Sequence, residues 1–149
     1  MKSKIIDSYT DEKEGFSRVT IQNKYGKFTG YSYCHPDDKD AFSIYAGERY
    51  AELRAYKEYA KFRLKQEKIK LQTIENLLKD IKNDLKNNHV PFINFSIPIR
   101  KIYLKKRDYT RSVSDWENLY NYYEQAIKKQ DEIRQDLLAK AAAKKVKNN

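Results

Sequence analysis

At 149 residues, 40% of them hydrophobic, the chain has the size of a single domain with a modest core. Cys34 is its one cysteine, which excludes a disulfide framework; no apolar run reaches the roughly 18 residues of a membrane span, so a soluble cytoplasmic chain is expected. The net charge of +10 is uneven: seven cations meet seven anions in residues 1–42, eleven meet seven in 43–89, and thirteen meet seven in 90–149, so a basic partner surface is expected in the second half.

Residues 1–15 are polar, with a short extended piece expected at Lys4–Asp7 and a loop at Thr10–Gly15. Arg18–Gln22 alternates with period two and is rich in β-branched residues, the pattern of a half-buried strand. Asn23-Lys24-Tyr25-Gly26 is turn chemistry, with Gly26 able to take a positive φ, and Lys27–Cys34 returns as the second strand of a hairpin. Phe28, Gly30, Ser32 and Cys34 share one face of that strand and Thr29, Tyr31 and Tyr33 the other, so one face is expected to be covered by helix and the other used. Pro36 ends the strand. Asp37–Asp40 reads as a capping turn, since it lacks the sixth-position glycine and twelfth-position glutamate of a calcium loop, and His35 beside Cys34 lacks metal-ligand spacing.

The next stretch, Ser43 to about Lys86, organises the chain. It holds no proline and one glycine, Gly47, and Ile44, Ala51, Ala55, Tyr59, Phe62, Ile69, Ile74, Leu77, Leu78, Ile81 and Leu85 recur at helical steps. A helix of that length runs about 65 Å, so its apolar stripe needs a second long helix, from this chain or another copy. Gly47, Ala51 and Ala55 leave little side chain on one face, which lets the helix lie close to the hairpin, and Arg54 at that level is expected in a structural ion pair.

Asn87–Pro91 breaks the helix. Phe92–Ile97 alternates again, Pro98 interrupts, and Ile99–Leu104 continues, which predicts an edge strand or a strand with a kink, followed by a basic loop over 105–111. Arg100 to Arg111 is the densest cationic and aromatic segment, six basic residues to one acidic with Tyr103 and Tyr109 interleaved. Ser114-Asp115-Trp116-Glu117 has the form of a capping box and opens a second long helix over 114–147, with Trp116, Leu119, Tyr123, Ala126, Ile133, Leu137 and Ala141 near a heptad seam. Its alanine- and lysine-rich tail is placed to extend the helix, fray, or touch polyanions. The fold class expected is therefore α+β: an N-terminal antiparallel hairpin with an additional strand, plus two long amphipathic helices, in a single domain over 1–149.

The chain lacks a phosphate-binding glycine loop, an HExxH motif, paired cysteines and a nucleophile elbow, so no enzyme, no catalytic residue, no metal site and no cofactor is expected. Three binding functions fit. Arg100, Arg107 and Arg111 give paired hydrogen bonds to phosphate while Tyr103 and Tyr109 offer stacking surfaces, which suits a nucleotide. The same segment with the lysine tail suits nucleic acid, bound by phosphate neutralisation and released by salt. The long helical seam suits a protein partner. Thirteen tyrosines against one tryptophan fit a core, wet interfaces and stacking sites alike.

Gly30-Tyr31-Ser32-Tyr33-Cys34-His35-Pro36-Asp37-Asp38 followed by Gly47-x-x-x-Ala51-x-x-Arg54-Ala55 resembles a hairpin-to-helix pattern of small proteins from phages of Gram-positive bacteria. In size and helical layout the chain is similar to the anti-Thoeris sponges, which sequester a cyclic ADP-ribose signal. The resemblance implies a homo-oligomer in the host cytoplasm that captures a cyclic nucleotide without turnover, with Arg100, Arg107 and Arg111 on its diphosphate and Tyr103 or Tyr109 on its adenine. The alternatives are a basic nucleic-acid-binding phage protein and a protein-binding inhibitor of a host defence nuclease.

Overall fold

The computed structural model describes residues 2–34, 44–88 and 96–147. The elements are β1 (Lys4–Asp11), β2 (Phe16–Asn23), β3 (Gly26–Tyr33), α1 (Ile44–Asn87) and α2 (Ser96–Lys147), which is the expected α+β class. They gather into two compact units, Met1–Ala60 with Tyr120–Asn149, and Lys61–Leu119. The expectations for His35, Asp37–Asp40, the Ser43 cap and the first four residues of the Phe92–Ile97 strand lie outside the described residues.

In the first unit the additional strand of the sheet is β1, longer than the extended piece read at Lys4–Asp7, and the sheet is antiparallel in the order β1-β2-β3. Asp11 closes the first reversal by accepting from the amides of Lys13 at 3.0 Å and Glu14 at 3.2 Å. At the second, Asn23 pairs with Gly26 across a two-residue loop, and Gly26 adopts φ +138°, a value that L side chains rarely reach. The register puts Ser17, Val19 and Ile21 opposite Ser32, Gly30 and Phe28. This face is covered by α1: Val19, Ile21, Ala51 and Ala55 form the buried cluster, with Phe28, Tyr56 and Tyr59 packed against it.

The close approach predicted from the small residues of α1 is present, and its other half is Gly30. A Cβ on Gly30 would collide with the Ala51 carbonyl oxygen and the Ala55 amide nitrogen, and would lie 3.0 Å from the Arg54 carbonyl carbon. Among the described residues Arg54 makes no ion pair of the expected kind. Its Nη1 instead donates to the Tyr31 carbonyl at 2.6 Å, which satisfies part of the outer edge of β3.

The part of α1 in this unit also meets the C-terminal part of α2, in antiparallel order. The Tyr50 hydroxyl donates to Asp131 at 2.6 Å, Tyr56 stacks on Tyr123 with centroids 5.6 Å apart, and Lys57 donates to Glu124 at 3.1 Å. Tyr50, Tyr56 and Tyr123 are therefore packing residues: burial pushes the Tyr50 phenol well above its ordinary value, and the bond to Asp131 and that carboxylate's charge add to the rise. Burial likewise raises Tyr56 and Tyr123.

The second unit is a pair of helical segments from the same two helices, again antiparallel. Arg63 lies over Trp116 at 4.9 Å, Lys70 over Tyr109 at 5.9 Å and Lys82 over Tyr103 at 5.5 Å. Each long helix thus finds its cover within the chain. The seam differs from the stripe read in the sequence, since Ile69 and Leu77 are exposed while Arg63 and Glu67 are buried. Arg63 donates to Glu67 at 3.1 Å and Lys70 does so at 2.9 Å. Burial alone would raise the Glu67 carboxyl, but hydrogen bonds from Lys70 and Ser112 and the charges of Lys70 and Arg63 outweigh it and hold the group below its ordinary value.

Residues 96–111 are helical, which corrects the strand reading from Ser96 onward and the basic loop over 105–111, and moves the start of the second helix from 114 to Ser96. Pro98 lies in the first turn, where its missing N–H has no partner to lose, so it opens a helix rather than kinking a strand. From there Ile99, Ile102, Lys106, Tyr109, Val113 and Trp116 are the less exposed positions, at steps of three and four. Ser114 and Glu117 accordingly sit in mid-helix and form no capping box.

Candidate functional site

The candidate site lies on α2 between Arg100 and Asp115, inside the second unit. Because this segment is helical, its cations are ordered by the helical repeat. Arg100, Tyr103, Arg107 and Arg111 follow one another at steps of three, four and four, which places them along one face over about 16 Å. Tyr103, Lys106, Arg107, Thr110, Arg111, Ser114 and Asp115 line a shallow cavity of about 590 Å³.

Three of the five residues singled out from the sequence, Tyr103, Arg107 and Arg111, therefore share one groove. Arg100 continues their row one turn beyond the lining. Tyr109 falls on the opposite face, packed beneath the Lys70 ammonium, and is not part of the groove. Lys106, a member of the basic segment but not among the five, belongs to the groove; the i+3 relation to Tyr103 and the i+4 relation to Thr110 would have revealed it once the segment was read as helix.

The groove is open to water. The Arg107 side chain is 65% exposed and its Nη2 lies 3.6 Å from its neighbour Asp108. Lys106 Nζ lies 3.6 Å from Glu75. Exposed ion pairs of this length contribute little, so both cations can turn to a stronger acceptor such as a phosphate oxygen. Thr110 is already committed, donating to the Lys106 carbonyl at 2.8 Å. Asp115 puts a negative charge at the C-terminal end of the lining, which sets a limit to anion binding there.

The arrangement offers cationic donors and one aromatic face, the other face of Tyr103 being occupied by Lys82 at 5.5 Å. Among the described residues no group of three or more histidine, cysteine or acidic side chains is placed to hold a metal ion, and no helix is long and apolar enough to cross a membrane. No family model matches the chain, and no curated protein or solved structure matches it either.

Proposed function

We propose that the chain is a non-catalytic binder of phosphate-bearing ligands, gripped by the groove on α2. The observation that carries this reading is the convergence of Lys106, Arg107, Arg111 and Tyr103 on one open face. An open row of cations along a single helix suits a nucleic-acid strand, whose successive phosphates lie along it, better than a small molecule that must be enclosed. Binding of labelled single- and double-stranded DNA across a salt series tests it: affinity falling log-linearly with salt supports the reading, and no binding at low salt removes it.

A second reading is favoured by the position of Tyr103 beside Arg107 and Arg111, a stacking ring next to a diphosphate-sized cationic patch. This is phage counter-defence by capture of a cyclic nucleotide of the cyclic ADP-ribose type in the host cytoplasm. Capture at nanomolar affinity corresponds to about −12 kcal/mol and needs the groove closed, which calls for a second copy of the chain. The exposed Ile69 and Leu77 support such self-association. Light scattering with and without cyclic nucleotides, followed by heating and recovery of the small molecule, tests both parts. Intact nucleotide released from an oligomer supports capture, degraded nucleotide points to an enzyme, and a monomer that releases nothing ends this reading.

A further inference from the structure

We infer that the uncovered face of the β-sheet is a base-stacking platform for single-stranded nucleic acid, a site distinct from the α2 groove and independent of it. The register places Tyr9 opposite Arg18, Arg18 opposite Tyr31, and Phe16 opposite Tyr33, so one ring or more from every strand projects from the same face. These rings touch: Phe16 lies 6.1 Å from Tyr9, 6.1 Å from Tyr31 and 5.0 Å from Tyr33, centroid to centroid.

α1 covers the opposite face, and among the described residues the rings at this end of the other face stand in water. Tyr9 is 48%, Tyr31 45% and Tyr33 68% exposed. The buried positions of the covered face are filled by Ser17, Val19, Ile21, Gly30 and Ser32, while the tyrosine rings stand on the other side of the sheet. Exposed contiguous aromatics of this kind mark a binding surface.

The chemistry of the face selects the occupant. Three of its four rings carry hydroxyls. Beyond the rings the same face continues with Thr20, buried and bonded through its hydroxyl to that of Thr29 at 2.9 Å, and with the exposed Gln22, whose amide suits base edges. Lys4 and Lys27, both exposed and both paired with Gln22, close that end with two ammonium groups for phosphates. The two carboxylates on the face are already satisfied within it. Asp7 accepts from Arg18 at 2.8 Å, and Asp11 accepts from the turn amides. The cationic groups left over are complementary to a polyanion, and every base has a π-face for the rings, whereas an apolar peptide would have to desolvate the glutamine and lysine half.

The test uses the full chain and fluorescein-labelled oligothymidine, read by anisotropy, with an abasic oligonucleotide of equal length as the comparison. Oligothymidine is expected to bind more tightly than the abasic strand, and Tyr31→Ala and Tyr33→Ala each to weaken it roughly 5- to 150-fold, with Tyr33→Phe within about twofold of the unaltered chain. Oligothymidine carrying 5-bromouracil is expected to photocrosslink to β3. Equal affinity for the two strands overturns the inference. So does an unchanged affinity in alanine variants that keep their circular dichroism, or crosslinks confined to residues 100–115. The abasic comparison and the crosslink need no variant, so a substitution that unfolds the sheet leaves the inference testable. Arg107→Gln with Arg111→Gln addresses the groove separately: it lowers the salt dependence if the α2 reading holds and leaves the base-dependent part of binding in place.

Discussion

Gly30 bears on the first unit more directly than any other single position. Its hydrogen is what allows the backbones of β3 and α1 to touch, and backbone atoms cannot rotate away from an added methyl as a side chain can. Gly30→Ala is therefore expected to cost roughly 2–3 kcal/mol, at the upper end of overpacking effects, seen as a lower urea midpoint with an unchanged slope. A Tyr50→Phe substitution removes the donor to Asp131 and is expected to cost about 1 kcal/mol at neutral pH. It should also change the alkaline limb. The native state holds the Tyr50 proton more tightly than the unfolded chain does, so this group's contribution is complete below the unfolded value of 10.0 and is lost as pH rises above it. The variant should lose less stability between neutral pH and pH 11 than the unaltered chain. Glu67 works in the other direction: its folded pKa is depressed, so its contribution is present above the unfolded value of 4.5 and disappears as pH falls through the folded one. Urea melts of Glu67→Gln are expected to flatten the acid limb; an acid limb as steep as before would show that the Arg63–Glu67–Lys70 cluster does not set it.

At the scale of elements, the hairpin and the first helix were legible because each has one dominant period. Arg18–Gln22 alternates, and the small residues at 47, 51 and 55 recur once per turn. The segment from Ser96 to Arg111 was not, because its apolar residues satisfy two periods at once. Ile97, Ile99 and Tyr103 read as alternation around Pro98, yet Ile99, Ile102, Lys106 and Tyr109 trace a heptad seam in which one position is a lysine. A lysine can bury its stem and keep its ammonium at Glu75, so a seam position need not look apolar. Lys105→Pro distinguishes the two conformations. In mid-helix it should cost about 3 kcal/mol or more and lower the helical circular dichroism, whereas in a basic loop it would be nearly silent. The buried Arg63–Glu67 pair was missed for a related reason: charged residues score as solvent-facing, while here Trp116 covers the guanidinium and Lys70 and Ser112 complete the carboxylate.

At the scale of the whole molecule, the excess of positive charge in the second half is what gives the α2 groove its character, and that asymmetry could be counted from the sequence. The list of five candidate residues carried no geometry, since a loop has no faces. The helix sorts them, keeping Tyr103, Arg107 and Arg111 in the lining and Arg100 in line with them, and turning Tyr109 away. If both groove arginines meet phosphates, Arg107→Gln with Arg111→Gln should reduce the slope of log affinity against log salt by about 1.4 on single strands. An unchanged slope would place the anion elsewhere. The aromatic face of the sheet was half visible, in that Tyr31 and Tyr33 fell on the side away from the helix; Tyr9 and Phe16 were not, because the extended piece was read to end at Asp7 and the hairpin strand to begin at Arg18, whereas β1 runs to Asp11 and β2 starts at Phe16.

Trp116 is the chain's only indole, and it is seated against the guanidinium of Arg63 in the second unit. Nature has thereby left an intrinsic optical probe at one address. Emission excited on the red edge, where tyrosine does not absorb, follows melting of that helical pair alone, so its midpoint set beside one from circular dichroism reveals whether the chain loses its structure in one cooperative event or in two.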